Sequence, residues 1–148
     1  CFVAAGELPT ATGIAIGPGA AAIRLATLQG IDTTGILAGE GSATVTSSIL
    51  SDTGACSGGS VTFAHSTLHA CTSPPACATC SSSDPLFVDA ANGNLHVKPA
   101  SPTLDAADPT LSWCAEPAPN GCRADQGAHG TTAGSTAKTG AKHCACGG

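Results

Sequence analysis

The chain has few of the large side chains that fill a broad hydrophobic core. Tyrosine and methionine are absent, and aromatic residues make up 3% of the 148 residues. Packing must therefore come from thin layers of Ala, Val, Ile and Leu. Such layers are typical of repeat proteins, in which each unit buries a narrow stack of side chains against its neighbours.

Basic residues are also scarce. Lysine and arginine number 5 against 10 acidic residues, which gives a net charge of −5. Because neutralising phosphate needs clustered Lys or Arg, this balance argues against a nucleic-acid partner and against an anionic membrane surface. No apolar run of about 18 residues occurs, so no transmembrane span is predicted. The first residues, CFVAAGEL, lack the basic start of a signal peptide, and we expect the chain to begin after processing.

Cysteine is abundant, with nine in so short a chain. This number predicts an oxidising, extracellular location, with disulfides in place of a large core. The disulfide candidates are Cys56, Cys71, Cys77, Cys80, Cys114, Cys122, Cys144 and Cys146. Because nine is odd, at least one cysteine is left free, modified or bonded to another molecule. The candidates for a link between subunits are Cys1, Cys144 and Cys146.

Lipid attachment and zinc binding are the two alternatives to disulfides for these cysteines. A lipid on Cys1 is disfavoured, because Phe2–Ala5 is typical of a strand rather than of a polar tether. Zinc ligands could come from the clusters His65, His69, Cys71, Cys77, Cys80 and His143, Cys144, Cys146. A pair of zinc knuckles normally has two CxxC units, and only one is present. Disulfides are therefore favoured, no cofactor or metal is predicted, and the short loop between Cys114 and Cys122 favours a bond between these two.

The first half of the chain repeats with an offset of about 22 residues, since Gly13–Gly19 is echoed by Gly35–Gly41. A third repeat at Val61–Leu68 is preceded by a shorter stretch of chain than the second repeat is. Within each repeat the period is two, which indicates strands. Stacking the repeats predicts three inward ladders, Ala21/Ala43/Val61, Ile23/Val45/Phe63 and Leu28/Leu50/Leu68.

A fourth ladder, Leu25/Ser47/His65, changes from apolar to polar, and we interpret His65 as a corner or outward residue. Small polar residues fall near the same corner, where their hydroxyls can satisfy backbone groups in one repeat after another. Further along the chain, the apolar run Leu86–Val88, the Asn92-Gly93 pair and the alternating Leu95 and Val97 predict a hairpin.

The same later region carries a set of motifs: DPLFVD, then NG, then P-x-SP-x-x-DA-x-D, then EPAPNG-x-R-x-x-x-GA-x-G. The residues are Asp84–Asp89, Asn92-Gly93, Pro99, Ser101-Pro102, Asp105-Ala106, Asp108, Glu116–Gly121, Arg123, Gly127-Ala128 and Gly130. This set resembles the C-terminal part of bacterial secreted right-handed parallel β-helix proteins, relatives of the pectate-lyase-like solenoids. The resemblance implies a fold and export but no particular activity, because members of the family are functionally diverse.

The predicted fold is all-β, a short right-handed parallel β-helix of about three coils with an irregular C-terminal cap pinned by disulfides. Residues 1–80 form the coils, residues 81–130 the family-like cap, and residues 131–148 a Thr/Gly/Cys tail anchored by a disulfide. No α-helix is predicted, because apolar spacing of three and four residues is absent and Gly or Pro recurs too often.

Catalytic residues are not predicted. Carbohydrate lyases and hydrolases need clustered carboxylates, or carboxylate-bound calcium with a basic residue. The repeat region offers only Glu7, Asp32, Glu40, Asp52 and the base Arg24. In the inferred register Asp32 and Asp52 fall in loops and Glu40 in a Gly-Glu-Gly corner. The later aspartates have two interpretations, a calcium site or turns beside proline, and turns are favoured. They are Asp84, Asp89, Asp105, Asp108 and Asp125.

The leading functional hypothesis is a non-enzymatic extracellular structural protein, a self-assembling filament or surface-layer subunit reinforced by disulfides. The first coil has no cap of its own, and a head-to-tail homo-oligomer would bury it. The alternative is a secreted module that binds polysaccharide or a cell surface, for which Trp113 is the one candidate aromatic platform. A third hypothesis is the remnant of a polysaccharide lyase or hydrolase.

Overall fold

The computed structural model describes residues 12–145 and the backbone of residues 2–4. In this part of the chain the protein is all-β. Its strands are β1 (Phe2–Ala4), β2 (Thr12–Ile16), β3 (Ala20–Arg24), β4 (Thr27–Thr46), β5 (Ile49–Ala64), β6 (Thr67–His69), β7 (Phe87–Asp89) and β8 (Asn94–Val97), and Ala90–Asn92 form one 3-10 turn. No helix in the described residues has the length and apolarity that crossing a membrane requires.

Strands β1 to β6 form one parallel sheet. β1, β2 and β3 each pair with successive thirds of β4, β4 pairs with β5, and β5 pairs with β6. Successive stretches of chain therefore lie side by side, and we call them passes. Pass 1 holds β1, β2 and β3, pass 2 is β4, pass 3 is β5, and pass 4 begins with β6.

The three predicted ladders of inward side chains are confirmed by the register of this pairing. They are Ala21/Ala43/Val61, Ile23/Val45/Phe63 and Leu28/Leu50/Leu68. Within pass 2 the inward residues Leu28 and Val45 have no exposed surface. Pass 3 is shorter than pass 2 because the pairing of β4 with β5 shifts register twice, at Ile31/Thr34 and at Ala38/Ser42. These shifts account for the shorter stretch of chain before the third repeat.

The corners between passes are marked by a repeated backbone conformation. Leu25, Ser47 and His65 have φ values of 53°, 54° and 47°. This left-handed conformation is uncommon for residues other than glycine, so the stack imposes the same sharp bend in each pass. The interpretation of His65 as a corner residue is confirmed.

Serine side chains satisfy the backbone at these corners, as predicted. Ser48 Oγ accepts the Ala26 N–H at 3.1 Å, and Ser66 Oγ accepts the Ser48 N–H at 3.2 Å. Each hydroxyl also donates to a carbonyl two residues earlier, that of Thr46 or Ala64. Because both serines are fully buried, these bonds offset the cost of removing the corner backbone from water.

The predicted hairpin is confirmed. β7 and β8 pair antiparallel, with Phe87 opposite Val97. The 3-10 turn precedes Gly93, whose φ of 77° lies in the left-handed region that glycine tolerates.

Residues 101–130 lie along the corners of several passes, whereas we expected them to cap one end of the stack. Gly127 N–H donates to the Ser47 carbonyl at 2.8 Å, and Ala128 N–H donates to Thr27 Oγ1 at 3.0 Å. One buried side chain, Gln126, donates to the His65 carbonyl at 2.8 Å. It also accepts the Thr67 hydroxyl at 2.6 Å. We call residues 101–130 the lateral cover.

Three disulfides join described cysteines: Cys56–Cys71, Cys77–Cys80 and Cys122–Cys144. The expected bond between Cys114 and Cys122 is wrong, and Cys114 forms a disulfide elsewhere. Cys122 pairs with Cys144 because contacts between residues far apart in the sequence bring the two together. Asn120 Oδ1 accepts the Cys144 N–H at 3.1 Å and its Nδ2 donates to the Cys144 carbonyl at 3.2 Å, which brings the tail against the lateral cover.

Burial in the ladders predicts how the core responds to truncation. Leu50→Ala removes a side chain with no exposed surface, so the free energy of unfolding should fall by about 2–5 kcal/mol. The matched control is Leu37→Ala, since Leu37 is 37% exposed, and it should cost no more than about 1 kcal/mol. Guanidinium unfolding under non-reducing conditions measures both. Equal losses would contradict the assignment of Leu50 to the shared core.

Candidate functional site

The outer edge of pass 1 carries no partner strand within the described residues, since β1, β2 and β3 each pair only with β4. Half of the backbone N–H and C=O groups of an edge strand point away from its neighbour, where another strand can accept them. Pass 1 is therefore the candidate interaction site, and we call it the open edge.

The inward side chains at the open edge are less covered than their equivalents one pass further on. The comparison runs along two pairs of strands. Ile14, Ile16, Ala21 and Ile23 are half-buried, whereas their partners Ile36, Ala38, Ala43 and Val45 are 0 to 3% exposed. Because the residue types are closely similar, the difference reflects the lack of a further layer on the pass 1 side among the residues that the structure describes.

The open edge has few of the features that keep edge strands from pairing. Natural edges are often protected by charged residues, proline or a bulge. In β2 and β3 the only charged side chain is Arg24, at the end of β3, and Pro18 lies in the bend between the two strands. The rest of this edge is apolar or small.

The other end of the stack is closed by residues 71–81. Thr72 N–H donates to the Gly54 carbonyl and Leu68 N–H donates to the Ser81 carbonyl, both at 2.8 Å. The disulfide from Cys56 to Cys71 fastens this segment to pass 3. The two ends of the stack thus differ, and the open edge is at pass 1.

The described acids of the repeat region do not form a cluster. The expected loop and corner positions are wrong, because Asp32 and Glu40 lie in β4 and Asp52 lies in β5. Asp32 and Glu40 are exposed, and Glu7 lies outside the described residues. Asp52 is exposed and accepts hydrogen bonds from Ser51 at 3.1 Å and from Gln29 at 3.4 Å.

A serine and a histidine do come close to this aspartate, because Gln29, Ser51 and His69 pair across three passes. Ser51 Oγ lies 3.1 Å from His69 Nδ1. A catalytic triad requires the carboxylate to bind the histidine and the serine to be accessible. Here the carboxylate of Asp52 binds the serine, and Ser51 is 2% exposed. The arrangement therefore acts as a polar ladder between passes.

The interpretation of the later aspartates as turn residues is confirmed for two of them. Asp84 Oδ1 accepts the Leu86 N–H at 2.8 Å. Asp108 Oδ1 accepts the N–H and the hydroxyl of Thr110 at 2.9 and 2.7 Å. These bonds lower the pKa of Asp108. Both are turns of the kind that Asp-Pro sequences favour.

Metal ligands do not converge in this part of the chain. Among residues 12–145, no three His, Cys, Asp or Glu side chains are placed to hold an ion together. The zinc alternative is wrong for its described cysteines, because a disulfide sulfur is not a thiolate ligand. These cysteines are Cys71, Cys77, Cys80 and Cys144. The bond from Cys144 to Cys122 also removes Cys144 as an inter-subunit link, whereas Cys1 and Cys146 lie outside the described residues.

Two buried carboxylates in the lateral cover were not predicted. Glu116 is 7% exposed, and its Oε1 accepts the N–H groups of Asp125 and Thr131 at 2.9 and 2.8 Å. Asp125 is 5% exposed and accepts the Asp105 N–H at 2.7 Å and the Ser135 hydroxyl. Burial raises the pKa of Glu116 to about 7 and also raises the pKa of Asp125. Nothing local in the sequence marks these acids as buried, because the groups that bind them are 9 to 20 residues away.

Comparison with protein-family models, with curated proteins and with solved structures found no match to this chain.

The pKa of Glu116 predicts a pH dependence of stability. Its folded pKa of about 7 is above the ordinary value of 4.5, so folding disfavours the ionised form. The stability it contributes is present below pH 4.5 and is lost as the pH rises through 7. We expect the free energy of unfolding to fall between these values, and Glu116→Gln to flatten that fall.

The matched control is Glu40→Gln, which removes an exposed acid from strand β4 and should leave the profile unchanged. Urea unfolding at pH 4.5 to 8 measures all three proteins. A Glu116→Gln profile parallel to that of the wild type would show that Glu116 does not titrate in this range.

Proposed function

We propose that the protein is a non-enzymatic extracellular structural protein, built as a short right-handed parallel β-helix, that assembles through its open edge. The observation that carries this proposal is the half-buried inward row of pass 1 beside fully buried equivalents in pass 2. A row of this kind becomes buried when another β-layer pairs with the edge.

The β-helix is supported by the pairing of the passes. Each pass runs parallel to the previous one, and the corners at Leu25, Ser47 and His65 are stacked in the same backbone conformation. Parallel strands of one sheet are joined by right-handed connections in nearly all known cases. The motif from Asp84 to Gly130 adds its resemblance to secreted parallel β-helix proteins, and that resemblance supports bacterial export.

Disulfides support the extracellular location. Three of them join residues of the described chain, and such bonds persist in oxidising compartments. They also compensate for thin core layers, because each one restricts the unfolded chain.

A structural role is further supported by what the polar side chains do. The buried groups that could carry chemistry bind the backbone or one another instead. Glu116 holds two N–H groups of the lateral cover, and Ser51 is shared between Asp52 and His69. For a glycan-binding role, the one tryptophan is an unsuitable platform, because Trp113 is half-buried.

The partner we propose for the open edge is a second copy of this chain. Because residues 71–81 close the other end, the same edge on two copies is the simplest pair of matching surfaces. Such a contact is self-complementary about a two-fold axis, so it ends at a dimer. A filament or surface layer would need this contact together with a second one, for which disulfides of Cys1 or Cys146 are candidates.

Charge placed on the inward row should weaken this assembly. In Ile23→Lys an ammonium group would be buried when the edges pair, so we expect dimerisation to weaken at least about ten-fold. Leu37→Lys is the control, since Leu37 lies on pass 2, is 37% exposed and does not belong to the inward row. Sedimentation velocity over a range of concentrations measures association. Negative-stain microscopy of the same samples distinguishes dimers from filaments.

A measurement without mutation covers the case in which Ile23→Lys fails to fold. Backbone amides of residues 12–24 should exchange with solvent more slowly as the concentration of wild-type protein rises, while those of β5 should not change. A protein that stays monomeric at all concentrations, with exchange at residues 12–24 independent of concentration, would contradict assembly through this edge.

A further inference from the structure

We propose that the Cys77–Cys80 disulfide is a thiol–disulfide exchange site, at which a thiol compound is oxidised while the other described disulfides stay intact. This site lies at the closed end of the stack, away from the open edge. Its features are the shortness of the loop that it closes, the environment of its sulfurs and the groove beside it.

The loop that this disulfide closes is by far the shortest of the three. Cys77 and Cys80 are 3 residues apart, against 15 for Cys56 and Cys71 and 22 for Cys122 and Cys144. A crosslink stabilises a fold mainly by restricting the unfolded chain, and this effect grows with loop length. Breaking Cys77–Cys80 therefore costs the fold least.

The surrounding backbone holds the two sulfurs in place without the disulfide. Cys80 N–H donates to the Cys77 carbonyl at 3.4 Å, which keeps the two residues in one turn. Next to the turn, Ser81 N–H donates to the Ser66 carbonyl at 2.9 Å and Leu68 N–H donates to the Ser81 carbonyl at 2.8 Å. The turn is thus attached to the sheet on its own, so the reduced pair stays positioned to close again.

The environment of Cys77 favours the reduced state. Its Sγ lies 3.1 Å from the Phe63 carbonyl oxygen. A thiol at this position donates a hydrogen bond to that carbonyl, whereas a disulfide sulfur has no proton to donate. Thr79 Oγ1, 3.8 Å from the same sulfur, can donate to it when it leaves as a thiolate. Stabilising the reduced form makes a disulfide a stronger oxidant.

The exchange is balanced in two steps. A thiolate attacks Cys80 Sγ, a mixed disulfide forms there, and the Cys77 sulfur leaves as a thiolate that takes a proton from water. A second thiolate then attacks the outer sulfur of the mixed disulfide, which releases an oxidised disulfide and the Cys80 thiolate. In total two thiols lose two electrons and two protons, and Cys77 and Cys80 gain them.

A shallow groove beside the disulfide offers a place for the thiol compound. Its lining is apolar or small, and consists of Leu68, Pro74, Pro75, Cys77, Cys80, Ser81 and Ser82. Both sulfur-bearing residues are half-buried, as are Cys71, Cys122 and Cys144, whereas Cys56 has no exposed surface. The groove suits a small thiol or the cysteine of an extended peptide.

The test is a redox titration of the full oxidised chain. The protein is equilibrated with reduced and oxidised glutathione at increasing ratios, quenched in acid, alkylated and mapped by mass spectrometry. We expect Cys77 and Cys80 to be labelled at a ratio at least about ten-fold less reducing than Cys56, Cys71, Cys122 and Cys144, which is about 30 mV for a two-electron couple. Opening of all three disulfides together, or of Cys77–Cys80 last, would overturn the proposal.

Two single variants test the direction of attack. Cys77→Ser leaves Cys80 able to form a mixed disulfide with oxidised glutathione, and we expect rapid adduct formation. Cys80→Ser leaves a Cys77 thiol bonded to the Phe63 carbonyl, and we expect at least about ten-fold slower adduct formation. Circular dichroism and an intact Cys56–Cys71 bond check the fold of each variant. Faster reaction at Cys77 would overturn the assignment of Cys80 as the attacked sulfur.

The source of the thiol is distinguished by a second arm of the same experiment. The rate of opening is measured with glutathione and with an unstructured peptide that contains one cysteine, at equal thiolate concentration. A faster reaction with the peptide, reduced by Pro74→Gly, assigns the groove to a peptide substrate. Equal rates that Pro74→Gly leaves unchanged assign the site to small thiols. No exchange with either would overturn the proposal.

Discussion

The parallel pairing of each pass with the next, in register, is the constraint on which the rest of the structure depends. Strands in a sheet lie about 4.8 Å apart, so each position must accept the residue directly above it. Side chains therefore stack like on like, as Ile23, Val45 and Phe63 do. The same spacing excludes a side chain where two passes touch. A Cβ on Gly13 would lie 2.6 Å from the Gly35 carbonyl oxygen. Thin aliphatic layers, and glycine where two passes approach closely, are thus two results of one spacing.

Corners are where this arrangement is costly, because the chain leaves the ladder of strand hydrogen bonds while it is still buried. Inside the stack, serine hydroxyls bind the backbone groups of the corners. On the outside, the lateral cover binds them. Gln126 serves two passes at once, since it binds the His65 carbonyl and the Thr67 hydroxyl. The cover is in turn held by Glu116 and Asp125, which bind backbone N–H groups. The buried acids therefore fix the element that completes the corners.

The sequence predicts what is local or periodic. Period two and an offset of about 22 residues were enough for the inward ladders, and Asn92-Gly93 was enough for the hairpin. The position of the lateral cover was not predictable, because Ala128 and Thr27 are 101 residues apart. The same is true of the Cys122–Cys144 bond, for which short separation pointed wrongly to Cys114. For the candidate site, a first coil in need of a partner was an expectation from the repeat, and the half-burial of Ile14, Ile16 and Ile23 is what distinguishes its described residues from those of pass 2.

The two ends of the stack differ in a way that follows from their crosslinks. Cys56–Cys71 and Cys77–Cys80 both lie at the closed end, and Cys71, Cys77 and Cys80 pack against the core there. Cysteine in this position replaces the missing next layer, because sulfur is apolar and the crosslink limits fraying. In β2 and β3 no cysteine occurs, and the inward row Ile14, Ile16 and Ile23 is apolar and only half-buried. A β-layer is the other way to cover such a row, and this is the physical basis of the assembly proposed for the open edge.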